Sequence, residues 1–296
     1  MSTTISTAFI GDYNKDVHHV FQREGAMLLP TVFHKSGVVG STAYFEKLGS
    51  GTAVTKSRHG EITPMNVTHT QPSATIVDFY AGDWADLLDE AKTNIEVRMN
   101  YARAGAYALG RKVDSQITTV LDSTSQSTIT YAVTDFNAIQ SSLLQMTEAL
   151  DSNSVPNDGQ RYGALTPRAY AQAMTVEAFA SSDYVGSNGL PFTEGAPGHR
   201  KFKDFMGVKW CMHPDLPGKG TSTAKIFVWH KSAIGYASGK HAGNVAANES
   251  VSADITWHGD RASHFINHMM SGEAVLIDDT GVIEGNLNDT SAIATS

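Results

Sequence analysis

The chain has 296 residues, of which 41% are hydrophobic and 18% are charged, so it holds enough apolar side chains for one large domain or two modest ones. Its net charge of −8, without any lysine- or arginine-rich run, argues against a dedicated nucleic-acid wrapper, whose affinity would come from clustered cations. The single cysteine, Cys211, excludes an intrachain disulfide, and no apolar run reaches the length that spans a bilayer. We therefore expect a soluble, cytoplasmic protein.

Residues 1–32 contain no unit that could fold alone, and we predict that they form an N-terminal arm. Within this arm, Lys15–Glu24 carries apolar residues at helical spacing, which predicts a short helix. The next stretch, residues 33–80, is punctuated by glycines and rich in strand-forming residues. It predicts two strands, Ser41–Lys47 and Ser73–Tyr80, that form a long projecting β-hairpin.

The segment between these two strands has no apolar periodicity, and a loop of this length is usually functional or mobile. Lys56, Arg58 and His59 place positive charge near its tip, close to Glu61. One interpretation is that these four residues contact a neighbouring subunit, with the positive charges on an acidic surface. The alternative, a solvated loop without a partner, is equally compatible with the sequence.

Helical patterns follow the hairpin. Asp83 is expected to cap a short helix over Trp84–Lys92. A much longer helix is predicted over Thr93–Asp122, because small and apolar residues recur there at steps of three or four. Thr93 and Glu96 match the capping pattern S/T-x-x-E at its start.

The apolar stripe of this long helix is narrow and contains Gly105 and Gly110. A glycine inside a helix costs about 1 kcal/mol relative to alanine. We therefore expect another backbone to approach the helix closely at these positions.

The segment from 129 to 245 mixes helical and strand patterns and predicts one compact α/β subdomain. Its predicted elements, in order, are a helix over Phe136–Leu150, a strand over Tyr162–Leu165, a helix from the cap Thr166 through Pro167 to about Phe179, and strands over Phe205–Met212, Ala224–His230 and Ala233–Ala237. Strands return at Val251–His258, Ala274–Ile277 and Val282–Ile283. Asp278 and Asp279 open a turn between the last two, and adjacent side chains in a turn diverge, which disfavours a catalytic carboxylate pair.

The best candidate for a chemical site is the histidine cluster His258, His264 and His268. His264 and His268 are four residues apart and would share a face on a helix, as zinc ligands can. A metal-dependent hydrolase built on these residues is one alternative function. No H-E-x-x-H motif, nucleophile elbow or phosphate-binding glycine loop accompanies them, and Cys211 sits in an apolar strand that makes its thiol inert. We therefore predict no metal, no cofactor and no catalytic residues.

Three stretches of sequence resemble the major capsid proteins of tailed bacteriophages, which have the Hong Kong 97-like fold. They are the opening STTISTAFI, the stretch from Asp78 to Ile117, and the ending SGEAVLIDDTGVIE. The resemblance extends over essentially the whole chain.

The resemblance implies an α+β fold with defined parts. Residues 1–32 would be the N-arm and 33–76 the extended hairpin loop. Residues 77–128 and 246–296 would form the peripheral domain with its spine helix over 93–122, and residues 129–245 the axial domain.

The resemblance also implies a function and partners. The chain would self-assemble as hexamers and pentamers of an icosahedral head shell that encloses double-stranded DNA without sequence-specific binding. Since it has no room for a scaffolding segment before its arm, it would depend on a separate scaffold protein or assemble unaided. A portal and any decoration proteins would be further partners. The protein would be assembled in the bacterial cytoplasm and reside in the virion. An encapsulin-like compartment shell is the alternative within the same fold.

Overall fold

The structure is a computed structural model. The residues that it describes are 26–87, 97–130, 138–175, 202–240 and 251–290. The predicted helix over Lys15–Glu24 lies outside the described residues, and so does the capping pair Thr93 and Glu96.

Three helices are longer than a single turn in the described ranges: α1 (Val97–Leu121), α2 (Ala138–Ser152) and α3 (Pro167–Met174). The helices predicted over Thr93–Asp122 and Phe136–Leu150 are thereby confirmed over the described residues. Thr166 caps α3 as predicted, because its hydroxyl accepts a hydrogen bond from the Ala169 backbone N–H at 3.2 Å. None of the helices described is long and apolar enough to cross a membrane.

The described chain also forms fifteen strands. In chain order they are β1 (Phe33–Val38), β2 (Thr42–Tyr44), β3 (Lys47–Leu48), β4 (His69–Thr70), β5 (Ser73–Thr75), β6 (Val77–Asp86), β7 (Ile129–Thr130), β8 (Arg161–Leu165), β9 (Lys203–Phe205), β10 (Val208–Met212), β11 (Ala224–His230), β12 (Ile234–Gly239), β13 (Val251–His258), β14 (Ser263–Leu276) and β15 (Val282–Leu287). Two pairs of short strands form separate ladders, and the others build two sheets.

The first sheet has five strands and is centred on β14. In it β14 pairs antiparallel with β6, β13 and β12, and β12 pairs in parallel with β1. The second sheet has six strands in the order β7-β15-β11-β8-β10-β9. Both sheets are mixed, as expected when long connections join their strands.

The predicted short helix after Asp83 is wrong over its first residues, because β6 continues through Trp84 to Asp86. The whole of β6 pairs with β14, and Ala85 is buried there. The Asp83 carboxylate accepts a hydrogen bond from the backbone N–H of Trp84, a local contact within the strand. The hydrogen bonds of this ladder outweigh a local capping pattern, and residues 88–92 lie outside the described part of the chain.

The predicted single strand over Phe205–Met212 is in fact the hairpin of β9 and β10. Met206 and Gly207 form its two-residue turn, with φ values of 54° and 74°. Positive φ at both central positions matches the tight turns that suit the twist of antiparallel strands. The sequence signal was weak, because methionine rarely occupies the first of these positions.

One face of α1 is buried at regular spacing by Leu109, Val113, Ile117 and Leu121. These residues share an apolar cluster with side chains of both sheets. α2 and α3 pack against the opposite face of the six-stranded sheet in a second cluster. The long helix α1 therefore contacts both sheets through its buried face.

A close approach to α1 occurs at Gly105, as the sequence suggested, but a side chain makes it. A Cβ on Gly105 would lie 2.5 Å from Nδ1 of His268, which is buried on β14. The missing side chain lets the helix lie directly against the sheet.

The sheets do not follow the segment boundaries predicted from the sequence. β12 lies within 129–245 but joins the five-stranded sheet, and β15 lies within 246–296 but joins the six-stranded sheet. Val282 and Ile283 of β15 belong to different apolar clusters, so this strand is buried on both faces as an internal strand of that sheet.

Candidate functional site: the projecting hairpin

The hairpin predicted from the sequence is present and is built from two short ladders. The predicted strand Ser73–Tyr80 is wrong in its second half, because only β5 (Ser73–Thr75) belongs to the hairpin and β6 joins the five-stranded sheet. β2 pairs antiparallel with β5, and β3 pairs antiparallel with β4. The Gly49 backbone N–H extends the pairing by donating to the Thr68 carbonyl at 2.8 Å. Residues 33–38, at the start of the predicted loop, instead form the edge strand β1 of the five-stranded sheet.

The four candidate contact residues lie together at the hairpin tip. Lys56, Arg58, His59 and Glu61 surround a turn closed by a 3.1 Å hydrogen bond from the Gly60 backbone N–H to the Ser57 carbonyl, and all four are exposed. Within the described residues none of the four forms an ion pair. The tip therefore presents two cations and one carboxylate that are available to another molecule.

Apolar side chains are exposed beside these charges. Val54, Ile62 and Met65 lie on the two arms of the tip, and Ile62 is 75% exposed. An exposed apolar residue is ordinary by itself, but several on one projecting element indicate a contact surface.

The root of the hairpin is tied to the body by an ion pair. Lys47 Nζ lies 2.8 Å from Asp278 Oδ1, and both side chains are partly exposed. Partial burial alone would raise the pKa of Asp278, but hydrogen bonds from Lys47 and Thr280 lower it below the usual range. This pair is not predictable from local sequence, because its two members are 231 residues apart.

The neighbouring Asp279 holds a different segment. Its carboxylate accepts hydrogen bonds from the Thr124 hydroxyl at 2.8 Å, the Ser125 backbone N–H at 3.0 Å and the Gln126 amide at 3.0 Å, and also from the Ser125 hydroxyl. Burial alone would raise its pKa, but these hydrogen bonds lower the pKa to about 2. The two adjacent carboxylates therefore diverge, as the turn predicted.

The histidines do not form the arrangement that a metal site requires. His264 and His268 lie on strand β14 and not on a helix, so the predicted shared helix face is wrong. Four residues of strand separate their backbones by about 13 Å. His258 packs against the ring of Trp84 at 5.0 Å. Among the described residues, no group of three potential metal-ligating side chains is placed to hold an ion.

Cys211 is an inert thiol, as its apolar strand predicted. The residue is fully buried on β10. Burial, followed by the nearby charge of Asp114, raises the pKa of the thiol to about 12. A thiol in this environment is not an activated nucleophile.

Comparison with known proteins identifies the chain. The family model described as phage capsid protein matches residues 5–288. The chain belongs to the phage capsid protein family. A search of curated protein sequences found no match.

Solved structures with the same fold include several phage capsids and a virus-like particle from Pyrococcus furiosus. The capsid of the cyanophage P-SCSP1u has a TM-score of 0.74 at 16% identity, over 100% of this chain and 96% of that chain. A chain of Mycobacterium phage Che8 has a TM-score of 0.68 at 16% identity, over 95% and 97%. The capsid of Ralstonia phage GP4 has a TM-score of 0.68 at 10% identity, over 95% and 96%. The capsid protein has the Hong Kong 97-like fold.

Family membership and fold together define the role of the chain. It is a major capsid protein that forms the icosahedral head shell, and it resides in the virion. The encapsulin-like alternative is not favoured, because the family match over nearly the whole chain is to phage capsid proteins.

Proposed function

We propose that this capsid protein forms hexamers and pentamers in which the extended loop, residues 33–76, places its hairpin across the neighbouring copy. The observation that carries this proposal is the hairpin tip, which exposes both charged and apolar side chains. Residues 49–68 bury no side chain in their own chain but display contact residues, which suits an interface between copies.

The charge of the tip supports a contact with another copy. Residues 49–68 carry Lys56 and Arg58 against Glu61, which gives a net charge of +1 (two cations minus one carboxylate), whereas the chain has −8. A positive tip is attracted to an acidic neighbour of the same sequence, and this attraction speeds and orients encounter more than it adds affinity. Lys56, Arg58, His59 and Glu61 are the proposed contact residues.

We assign the remaining parts of the chain from its resemblance to the major capsid proteins of tailed phages. Residues 1–32 are the N-arm, residues 77–128 and 246–296 the peripheral domain with α1 as the spine, and residues 129–245 the axial domain. Two strands exchange between these segments, β12 joining the peripheral sheet and β15 the axial sheet, which couples the two domains mechanically.

The same proposal covers the partners of the shell. A separate scaffold protein sets its size, a portal occupies one vertex, and decoration proteins bind outside where the phage has them. Assembly occurs in the cytoplasm of the host. The role is structural and not enzymatic, and the acidic chain encloses double-stranded DNA by confinement without sequence-specific binding.

The proposal is tested by reversing charge at the tip. The variant Lys56→Glu with Arg58→Glu should retain the circular dichroism and unfolding transition of the native protein but assemble at least about tenfold less at physiological salt. The matched control is Lys219→Glu, an exposed lysine on another loop. Assembly is measured by sedimentation. Equal assembly of the tip variant and the control would show that the tip charges do not contribute to the contact.

A further inference from the structure

A groove lies at the root of the hairpin, on the side of strand β1. It encloses about 650 Å³. Its lining includes Phe33, Lys35, Tyr44, Phe45, Glu46 and Ile277. A volume of this size accommodates several large side chains.

The floor and walls of the groove are aromatic and already in place. The rings of Phe33 and Phe45 meet edge to face at 6.1 Å, and the Lys35 ammonium donates to the Tyr44 carbonyl at 3.1 Å. Phe33 is 50% exposed and Tyr44 is 57% exposed, although both line a concave surface. An apolar side chain of another molecule that enters such a groove buries its own surface and that of the aromatic rings, which favours binding.

The hairpin tip has the complementary features. It exposes Val54, Ile62 and Met65, whereas no residue from 49 to 68 lines the groove of its own chain. The paired strands between root and tip separate the two surfaces. The apolar tip of one copy and the groove of another are therefore complementary in polarity.

The charges at the edge of the groove also match those of the tip. Glu46 is exposed beside the groove and can pair with Lys56 or Arg58. Lys35 keeps ammonium protons free after its bond to Tyr44 and can pair with Glu61. The tip carries two cations and one carboxylate, and the groove carries one of each sign.

We propose that the hairpin tip of one copy inserts into the root groove of the next copy. This inference rests on the proposed function and locates its hairpin contact. The contact is head to tail, since tip and groove are different surfaces of one chain. Repeated around an axis it closes into a ring, as a heterologous interface does when its rotation closes.

The competing location is the open face of the five-stranded sheet. Strands β6, β13 and β14 contain no lysine or arginine, and their register places Asp78, Asp86 and Asp254 on the face that carries Tyr80. This surface attracts the cations of the tip but offers no concave apolar site for Ile62. The groove meets both requirements, and the experiment separates the two locations.

The test is disulfide trapping between copies. Ile62→Cys is combined with Tyr44→Cys in the groove or, as the matched control, with Tyr80→Cys, an exposed tyrosine on β6. The native Cys211 does not interfere, because it is buried and its pKa is about 12. Under mild oxidation of assembled protein by oxidised glutathione, the groove pair should give a ladder up to pentamers and hexamers on non-reducing gels, and the control pair should not.

Each outcome separates this inference from the proposed function. Two results would overturn the groove contact and leave the capsid function intact. One is a ladder from Ile62→Cys with Tyr80→Cys, and the other is the presence of shells under the microscope without a ladder from either pair. Failure of the unmodified protein to form rings or shells overturns both.

A charge exchange gives an independent readout. Glu46→Lys alone should reduce assembly at least about tenfold, and combining it with Lys56→Glu and Arg58→Glu should restore most of the loss. Additive losses in the combined variant contradict the pairing of groove and tip.

Discussion

At the scale of single residues, Asp278 and Asp279 make the clearest link between sequence and architecture. They are adjacent, yet Asp278 binds Lys47 at the hairpin root and Asp279 binds residues 124–126 just beyond the spine helix. One short turn therefore fixes two elements that are distant in sequence. Their contribution is positional, because neither carboxylate is left free for chemistry.

Asp279→Asn should change how stability depends on pH. The pKa of Asp279 is about 2 in the folded protein against 3.8 ordinarily, so its stabilisation is present above about pH 4 and is lost as pH falls toward 2. At neutral pH the variant should be about 1–2 kcal/mol less stable. Urea unfolding at several pH values checks this, and an equally steep decline in the variant between pH 4 and pH 2 would contradict it.

Gly105→Ala should destabilise the fold although alanine is the better helix former. The new Cβ would lie 2.5 Å from Nδ1 of the buried His268, and the overlap outweighs the gain in helix propensity. We expect a net loss of about 1–2 kcal/mol in the free energy of unfolding. In a His268→Ala background the same substitution should be neutral or stabilising. An equal loss in both backgrounds would show that His268 is not the obstacle.

At the scale of elements, the segment before β1 joins the spine helix to the six-stranded sheet. The buried Asp114 carboxylate of α1 accepts hydrogen bonds from the backbone N–H groups of Met27 and Leu28, both at 2.9 Å. The Trp229 indole of β11 donates to the Thr31 carbonyl at 3.1 Å. The point where the N-arm leaves the body is therefore fixed by two elements at once.

Asp114→Ala should be among the most damaging substitutions outside the apolar core. It leaves two backbone N–H groups without their acceptor in a buried site, at a cost of about 2–4 kcal/mol. Asp204→Ala, at an exposed aspartate of β9, is the control and should cost less than about 0.5 kcal/mol. Chemical denaturation of both variants checks the difference, and similar losses would contradict the anchoring role.

Lys47→Ala should loosen the hairpin more than it destabilises the protein. The ion pair with Asp278 is partly exposed, so its loss should cost about 0.5 kcal/mol or less globally. Amide exchange in β2 to β5 should nevertheless become about two- to fivefold faster, while exchange in α1 is unchanged. Equal protection of the hairpin in both proteins would mean that the pair does not hold the root.

The elements differ in how well the sequence predicted them. The spine helix was predictable because Leu109, Val113 and Ile117 recur at a spacing that only a helix places on one face. The start of the helix predicted after Asp83 failed, since Trp84 and Asp86 belong to a strand whose pairing with β14 lies about 180 residues ahead. Local capping patterns carry no information about such partners.

One part of the candidate site could be predicted from the sequence and another part could not. The charged tip was predictable, because Lys56, Arg58 and Glu61 lie close together in a long segment without apolar periodicity. The root groove was not, because Phe33 and Tyr44 meet Ile277 only after folding. The sequence shows only that Phe33 and Tyr44 are aromatic residues on either side of Gly37 and Gly40.

At the scale of the whole molecule, the fold combines a stiff body with one projecting element. The spine helix packs with both sheets, and the exchange of β12 and β15 ties the sheets together. The hairpin instead is built from short ladders, and its root joins the body through the ion pair of Lys47 and a small apolar cluster that includes Phe45 and Ala237. A shell protein must make similar contacts in slightly different environments, and this division allows the hairpin to adjust while the body keeps its shape.

Assembly should weaken with salt if tip charges guide the contact. Raising the ionic strength from about 0.05 M to 0.5 M shortens the Debye length to a few ångströms and screens the exposed Lys56 and Arg58. The native protein should lose assembly rate over this range, whereas the variant with both cations reversed should gain or stay level. Light scattering follows the rate, and an identical response of both proteins would contradict electrostatic guidance.

The most direct test of the central claim is electron microscopy of the purified protein together with its sedimentation profile. We expect uniform shells, tubes or isolated rings of pentamers and hexamers, formed unaided or on addition of the scaffold protein. Particles no larger than a dimer or tetramer, unchanged by protein concentration, salt or scaffold, would contradict it.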